Sequence, residues 1–217
     1  AWAAQLQVLD VIETICRKHD ITYFADWGTI LGTVRHGGYV PWDDDMDICM
    51  KREDYTRFKE AAKTELPKDF RIHDYEHQED HWLFLSRVAN SVHINFEPEH
   101  MKQFHNFPYI AGIDIFVLDY LYKDEQQEKQ LCEEVKHIIA VADSIIAGEI
   151  AQPVKEANLI QLEQKYHKNF NRKLDNRHMG IELYRLAEEQ MARVPKEESD
   201  RMAQIFPWGL LGNRGQD

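Results

Sequence analysis

Four aspartates, Asp43, Asp44, Asp45 and Asp47, fall within five positions, with Tyr39-Val40-Pro41-Trp42 before them and Ile48-Cys49-Met50 after. This apolar frame imposes a constraint that a surface acidic run does not carry. The segment has to be at least half buried, and carboxylates held close together there repel one another. In an extended chain, side chains alternate between two faces. Asp43, Asp45 and Asp47 then project one way, and Asp44, Met46 and Ile48 the other. Three carboxylates on one face destabilise a strand unless something positive lies among them. Mg²⁺ or Mn²⁺ meets that need, since hard cations take oxygen ligands and are commonly held by one or two carboxylates together with substrate phosphates. A solvated acidic loop is the alternative reading.

A second feature lies upstream. Gly28-Thr29 separates a short predicted strand, residues 22–25, from a helical run over 30–35 that His36-Gly37-Gly38 ends. Glycine admits close approach of a ligand to the backbone, and a helix start presents free N–H groups that suit a phosphate. Thr29 is placed to cap the helix or to donate to a phosphate oxygen. Arg35 is a candidate for the same anion through its fork of donors, and so is the adjacent His36. A tight turn with an N-cap is the plainer alternative. A phosphate-transferring site of this kind also wants a third carboxylate on a later strand. Asp114 is the candidate, an acid inside the apolar run Gly112-Ile113-Asp114-Ile115-Phe116-Val117-Leu118.

The rest of the chain supplies the frame. Trp2, Leu6, Leu9, Ile12 and Ile15 recur at helical spacing and predict a core-facing helix over 2–19. A further helix is expected over 53–64, and strands over 45–50, 70–75, 82–88, 92–96 and 113–118. After Asp119 the pattern turns helical, with one long helix over 124–150 and two or three more over 155–206. The expected class is α+β, with a core over 1–122 containing a small mixed sheet and a helical extension over 123–217 packed on it. His73, His77 and His81 recur every four residues, but their strand-like flanks make a solvated loop the expected setting.

Composition narrows the function. A formal net charge of −12 argues against nucleic acid as a partner. Three well-separated cysteines with no Cys-x-x-Cys pair fit a reducing cytoplasm. No run of about 18 apolar residues is present to span a membrane. The amphipathic helices after residue 124 leave a peripheral contact with the inner membrane face as an alternative to core packing. No signal peptide is visible. The chain opens at Ala1 inside an apparent helix, which leaves room for a removed upstream segment.

The stretch GTILGTVRHGGYVPWDDDMDICMKREDY, the downstream GIDIFVLDYL, and the lead-in from Trp2 through Ile15-Cys16-Arg17-Lys18-His19 to Tyr23-Phe24-Ala25-Asp26 together resemble the LicD family of phosphocholine transferases. The resemblance covers roughly the first 120 residues. It implies a polymerase-beta-like nucleotidyltransferase core and a CDP-choline donor, or another CDP-alcohol. It further implies transfer to a sugar hydroxyl of a cell-surface glycan such as teichoic acid or lipopolysaccharide, with release of CMP. On that reading Asp45, Asp47 and Asp114 hold Mg²⁺ or Mn²⁺, and Asp43 supports them or takes the acceptor proton. Gly28, Thr29, Arg35 and His36 hold the donor phosphates. Arg87 joins them, with a surface strand arginine as its alternative role. Trp42 or Trp82 offers an aromatic face for choline, core packing being the alternative for both. Fukutin-type ribitol-phosphate transferases share a similar acidic motif. Family members usually continue past Asp217, so a C-terminal piece is expected beyond this chain. The competing readings are a nucleotidyltransferase that moves NMP from an NTP to a small molecule, and a non-catalytic glycan-binding relative.

Overall fold

The computed structural model describes residues 1–75, 81 and 83–205. They form two compact units, one of residues 1–75 with Leu85–Leu118, the other of residues 81, 83, 84 and 119–205. The class is α+β, a small mixed sheet with helices, as the sequence leads one to expect for a nucleotidyltransferase-type core.

The first unit begins with α1 (Trp2–Lys18), then β1 (Tyr23–Ala25), α2 (Trp27–His36), β2 (Asp47–Lys51) and α3 (Arg52–Glu65). It continues through β3 (Arg71–His73), β4 (Ser86–Ala89), α4 (Pro98–Gln103) and β5 (Gly112–Tyr122), whose first seven residues belong to this unit. The strands lie in the order β1-β2-β5-β4-β3. β2 and β5 are parallel, and the other neighbouring pairs are antiparallel.

Strand alternation divides this sheet into two chemically different faces. Ile48 and Met50 of β2, Val88 of β4, and Ile113, Ile115 and Val117 of β5 join the apolar core with Val8, Ile12 and Ile15 of α1 and Tyr55 and Phe58 of α3. The residues between them, Asp47 and Cys49 on β2 and Asp114 and Phe116 on β5, take the opposite face. There α2 approaches, with Trp27 packing on Phe116 at 6.0 Å between ring centroids. Among described residues Gly32 alone is buried within α2. The loop after α2 folds back across it: Gly37 is left-handed at φ +66° and donates its N–H to Gly32 O. A Cβ on Gly32 would run into Gly38 O and lie 2.7 Å from Val40 N.

In the second unit, α5 (Glu125–Ile146), α6 (Gln152–Tyr166) and α7 (Asn176–Met191) precede a 3-10 turn, Lys196–Glu198, and β6 (Ser199–Ala203). β6 pairs antiparallel with residues 119–122 of β5. Helices α5 and α7 meet closely at Gly180, where any side chain would strike Ile146. Glu134 is buried on α5. Burial alone would push its pKa up, but hydrogen bonds from Lys165, Arg193 and Gln130 outweigh that and hold it at about 2.

Several expectations are corrected. Trp2 and Leu6 are exposed, and the buried stripe of α1 runs instead through Ala4, Gln5, Val8 and Ile12, because Gln5 finds a backbone partner in Asp44 O. Residues 92–96 form no strand; among the described residues the only one of their N–H groups with a backbone partner is that of Asn95, which donates to Pro108 O. The predicted helical run to 206 ends at Met191, and residues 199–203 form a strand instead, through pairing with β5 that local periodicity does not reveal. His73 closes β3 and His81 is buried, against the expected solvated loop; His77 and Trp82 lie outside the described residues. No helix among the described residues is long and apolar enough to cross a membrane.

Gly32→Ala puts a methyl into the backbone of the returning loop. We expect it to cost about 1–3 kcal/mol, read as a lower Tm, whereas Gly38→Ala, where a Cβ meets nothing within 4 Å, should leave Tm nearly unchanged. Equal effects would refute the close crossing.

Candidate active site

Parallel pairing of β2 with β5 sets Asp47 directly opposite Asp114, at the neighbouring-strand spacing of about 4.8 Å. Antiparallel pairing of β4 then sets Arg87 opposite Asp114 on the other side. The Arg87 guanidinium grips that carboxylate with two bonds, Nε to Oδ1 at 2.6 Å and Nη2 to Oδ2 at 3.0 Å. The fork matches the carboxylate, and the two charges share one geometry. Gly112 makes this reach workable, because a Cβ there would lie 3.0 Å from the Arg87 side chain.

The other carboxylates arrive from the turn before β2. Asp43 N–H donates to Val40 O at 2.9 Å and closes the turn. The indole N–H of Trp2 donates to Asp43 O at 2.9 Å, and the Gln5 amide to Asp44 O at 2.8 Å. Trp2 in turn stacks on Tyr39, centroids 4.9 Å apart. The strand begins at Asp47, not Asp45, so alternation does not govern residues 43–46. Carboxylate oxygens of Asp43, Asp44 and Asp45 instead converge, all within 4.8 Å of one another. Asp44 therefore joins the group from which strand alternation excludes it.

Thr29 and Gly28 connect this group to α2. The Asp47 N–H donates to Thr29 Oγ1 at 2.8 Å, so the hydroxyl ties the helix to the start of the strand and keeps its own proton for another acceptor. The Asp43 carboxylate packs against Gly28, filling the space where a side chain would sit. The helix begins earlier than its pattern suggests, at Trp27, with Asp26 as N-cap accepting from Trp27 N–H at 2.9 Å. Asp26 N–H also donates to Asp47 O at 3.0 Å. Trp27 adopts φ +41°, a conformation that costs a bulky residue and that clusters at functional sites.

Arg35 and His36 stand apart from this cluster. They occupy the last turn of α2, with Arg35 about 9 Å along the axis from Thr29. Among the described residues no hydrogen bond or ion pair joins either to the aspartates, and His36 packs edge-on against Trp42 at 6.0 Å. Trp42 is not a core residue, being 83% exposed. Asp26, Trp2 and Gln5 are the site-shaping residues that motif reading missed. Asp26 alone carried a local signal, an aspartate immediately before a helix start.

The charge arrangement is costly as it stands. Asp47 is 9% exposed. Burial, then the negative charges of Asp45, Asp114, Asp43 and Asp26, push its pKa up to about 7. Asp45 is also raised, first by burial, then by a hydrogen bond with Asp43 and by the charges of Asp43, Asp44 and Asp114. An oxygen-only cluster of this density, with one buried carboxylate that resists ionisation, is a donor set that fits a hard divalent cation.

The proton linkage gives a test in metal-free protein. A carboxyl at about 7 when folded and near 3.8 when unfolded binds an extra proton in the folded state between those values. Its contribution to stability therefore grows as pH falls from 7 and is complete below about 4. Asp47→Asn removes the charge at every pH. At pH 8 with chelator the variant should be more stable by about 1–2 kcal/mol after allowance for screening, or roughly 2–8 °C in Tm. The gap should close by pH 4, and a gap independent of pH would show that Asp47 carries no such strain.

Comparison with known proteins bears on the same segment. The LicD/FKTN/FKRP nucleotidyltransferase-domain family matches residues 20–137, more than half of the chain and all of the site elements from β1 to β5. A lipopolysaccharide cholinephosphotransferase, LicD of Haemophilus influenzae, is 43% identical over 53 residues, 24% of this chain and 20% of that protein. An uncharacterized protein of Rickettsia typhi is 39% identical over 54 residues, covering 25% of this chain and 18% of its own. One of Rickettsia prowazekii is 42% identical over 48 residues, 22% and 18% respectively. The matched segment thus spans about a fifth of each of these relatives. With the family matched across the strands and helices that assemble the carboxylates, the chain belongs to the LicD/FKTN/FKRP family of nucleotidyltransferase-domain proteins.

Proposed function

We propose that this protein transfers phosphocholine, or a related phospho-alcohol, from a CDP-activated donor to a sugar hydroxyl of a cell-surface glycan, releasing CMP. The observation that carries the reading is the pairing of Asp47 with Asp114 beside the converging Asp43, Asp44 and Asp45. The named activity of the Haemophilus influenzae relative supports phosphocholine as the group and lipopolysaccharide as the acceptor class. Teichoic acid is a second acceptor of the same chemistry.

Asp45, Asp47 and Asp114 would hold Mg²⁺ or Mn²⁺. Bound there, the cation would neutralise charge on the donor diphosphate as the bond to CMP breaks. In the transfer, the acceptor oxygen forms a bond to the phosphorus that carries choline. The bond from that phosphorus to the bridging oxygen breaks, and the oxygen leaves with CMP. The acceptor hydroxyl gives up its proton to a carboxylate. Asp43, hydrogen-bonded to Asp45 and seated against Gly28 at the helix start, is the base. Thr29 donates its free hydroxyl proton to a donor phosphate oxygen. Arg87 spends two of its five N–H donors on Asp114 and offers the rest to phosphate. Arg35 and His36, at the far end of α2, act on parts of the donor away from the reacting phosphorus. Trp42, exposed beside Asp43, presents its face to the quaternary ammonium. On the same reading the protein is cytoplasmic, with peripheral contact at the inner membrane face.

A donor screen decides the reaction. With CDP-choline, CDP-ribitol, CDP-glycerol and NTPs in the presence of Mg²⁺, we expect CMP from a CDP-alcohol and no pyrophosphate from any NTP. Pyrophosphate release would instead make the protein a nucleotidyltransferase. Asp45→Ala, Asp47→Ala and Asp114→Ala should each lower CMP release by about 100-fold or more, and chelation should do the same. Arg87→Lys, which keeps the charge and loses the fork, should cost about 10–100-fold. Near-normal turnover in the aspartate variants would overturn the mechanism.

A further inference from the structure

Trp27 holds a backbone angle of φ +41°, in the left-handed region that glycine enters freely and a bulky residue does not. Its side chain is nonetheless 48% exposed. Packing on Phe116, at 6.0 Å between centroids and tilted by 52°, uses part of the indole and leaves the rest to water. A large ring kept in strained backbone and half open to solvent adds little to the core. Such strain gathers where a ligand is bound.

The ring is fastened to the strand that carries the buried carboxylate. Trp27 N–H donates to Asp26 Oδ1 at 2.9 Å, and Asp26 N–H donates to Asp47 O at 3.0 Å. The Asp26 carboxylate is also hydrogen-bonded to the thiol of Cys49 on β2. Phe116, beneath the indole, lies two residues beyond Asp114 on the same sheet face, about 7 Å along β5. Gly28 and Thr29 follow Trp27 directly in the chain. The indole is thus held at a fixed place next to the phosphate cradle and the carboxylate pair.

We propose that Trp27 is the platform on which the base of the nucleotide donor stacks, an inference that rests on the donor reading above. Phe116 is 7% exposed, so it backs the indole and offers no second open wall. A single open face suits a planar heterocycle, whereas a quaternary ammonium gains most where further rings close round it. With its phosphate at Asp47 and Asp114, a nucleotide reaches the indole across its ribose. The strained backbone sets the angle of the ring before the donor arrives, so less order has to be imposed on binding.

The test reads binding without turnover. The full chain is titrated calorimetrically in Mg²⁺ with CMP, with inorganic pyrophosphate, which has no base, and with phosphocholine. Trp27→Leu keeps apolar bulk against Phe116 and removes the flat face, and Trp27→Phe keeps a smaller one. CMP affinity should fall about tenfold or more in Trp27→Leu and about threefold or less in Trp27→Phe. Pyrophosphate and phosphocholine affinities should stay unchanged in both. A merely structural role would weaken all three probes alike. If Trp27→Leu fails to fold, the indole N–H signal of Trp27, assigned by its loss in Trp27→Phe, is followed by NMR in the wild-type protein. CMP should shift it and pyrophosphate should not. Equal CMP affinity in wild type and Trp27→Leu, an equal fall for every probe, an indole signal that ignores CMP, or no CMP binding at all would each overturn the assignment. CMP release from CDP-choline is measured beside it. Release together with CMP binding that is independent of Trp27 discards the platform alone, and Trp27-dependent CMP binding without release discards the proposed reaction alone.

Discussion

Parallel pairing of β2 with β5 places Asp47 against Asp114, and that pairing generates a conflict which the surrounding structure is arranged to contain. Like charges opposite each other in a sheet are destabilising, and here further carboxylates converge from the preceding turn. Arg87 counters Asp114 from the next strand. Among the described residues nothing comparable reaches Asp47, whose pKa is pushed up to about 7 by burial and its acidic neighbours. The imbalance lies where a divalent cation is expected to sit, and it resembles the strain that functional sites retain at the expense of stability.

The two faces of the sheet explain how such a site survives in a small unit. Ile48 and Met50 of β2 and Ile113, Ile115 and Val117 of β5 enter the apolar core with α1 and α3, and that packing holds the strands regardless of what the other face carries. The acidic face is then fixed by few directed bonds: Asp47 N–H to Thr29, Asp26 N–H to Asp47 O, and the Trp2 and Gln5 side chains to the carbonyls of Asp43 and Asp44. Each bond uses backbone groups of the acidic segment and leaves its carboxylates unengaged by that fastening. Position is therefore set by main-chain geometry, and charge is left available for a ligand.

What was legible in the sequence follows from the range of each interaction. Glycine and threonine at the start of α2, the aspartate run and Asp114 could be read because each is marked by a local conflict, a charge in an apolar run or a glycine before a helix. Alternation failed at residues 43–46, because a turn, not a strand, carries them, and Asp44 converges with Asp43 and Asp45. Trp2 read as a core residue although it is a donor to Asp43 O across 41 positions, a distance no periodicity spans. The pairing of β6 with β5 was hidden for the same reason. Helix α4 is only six residues long and leaves too short a pattern to recognise.

Arg87 shows how one side chain reconciles these demands. A lysine at the same place would balance one charge of Asp114 as a hydrated point charge. The planar fork does more: two parallel bonds fix the carboxylate's orientation and use only part of the guanidinium's five N–H donors. Gly112 belongs to the same device, since a side chain there would crowd the arginine's path across the strand. The pair thus organises the acidic face without a cation, and on the proposed function it would form a combined cation-and-phosphate platform with both bound. That sequence of states requires the arginine to be half exposed, as it is, with its partner carboxylate largely enclosed.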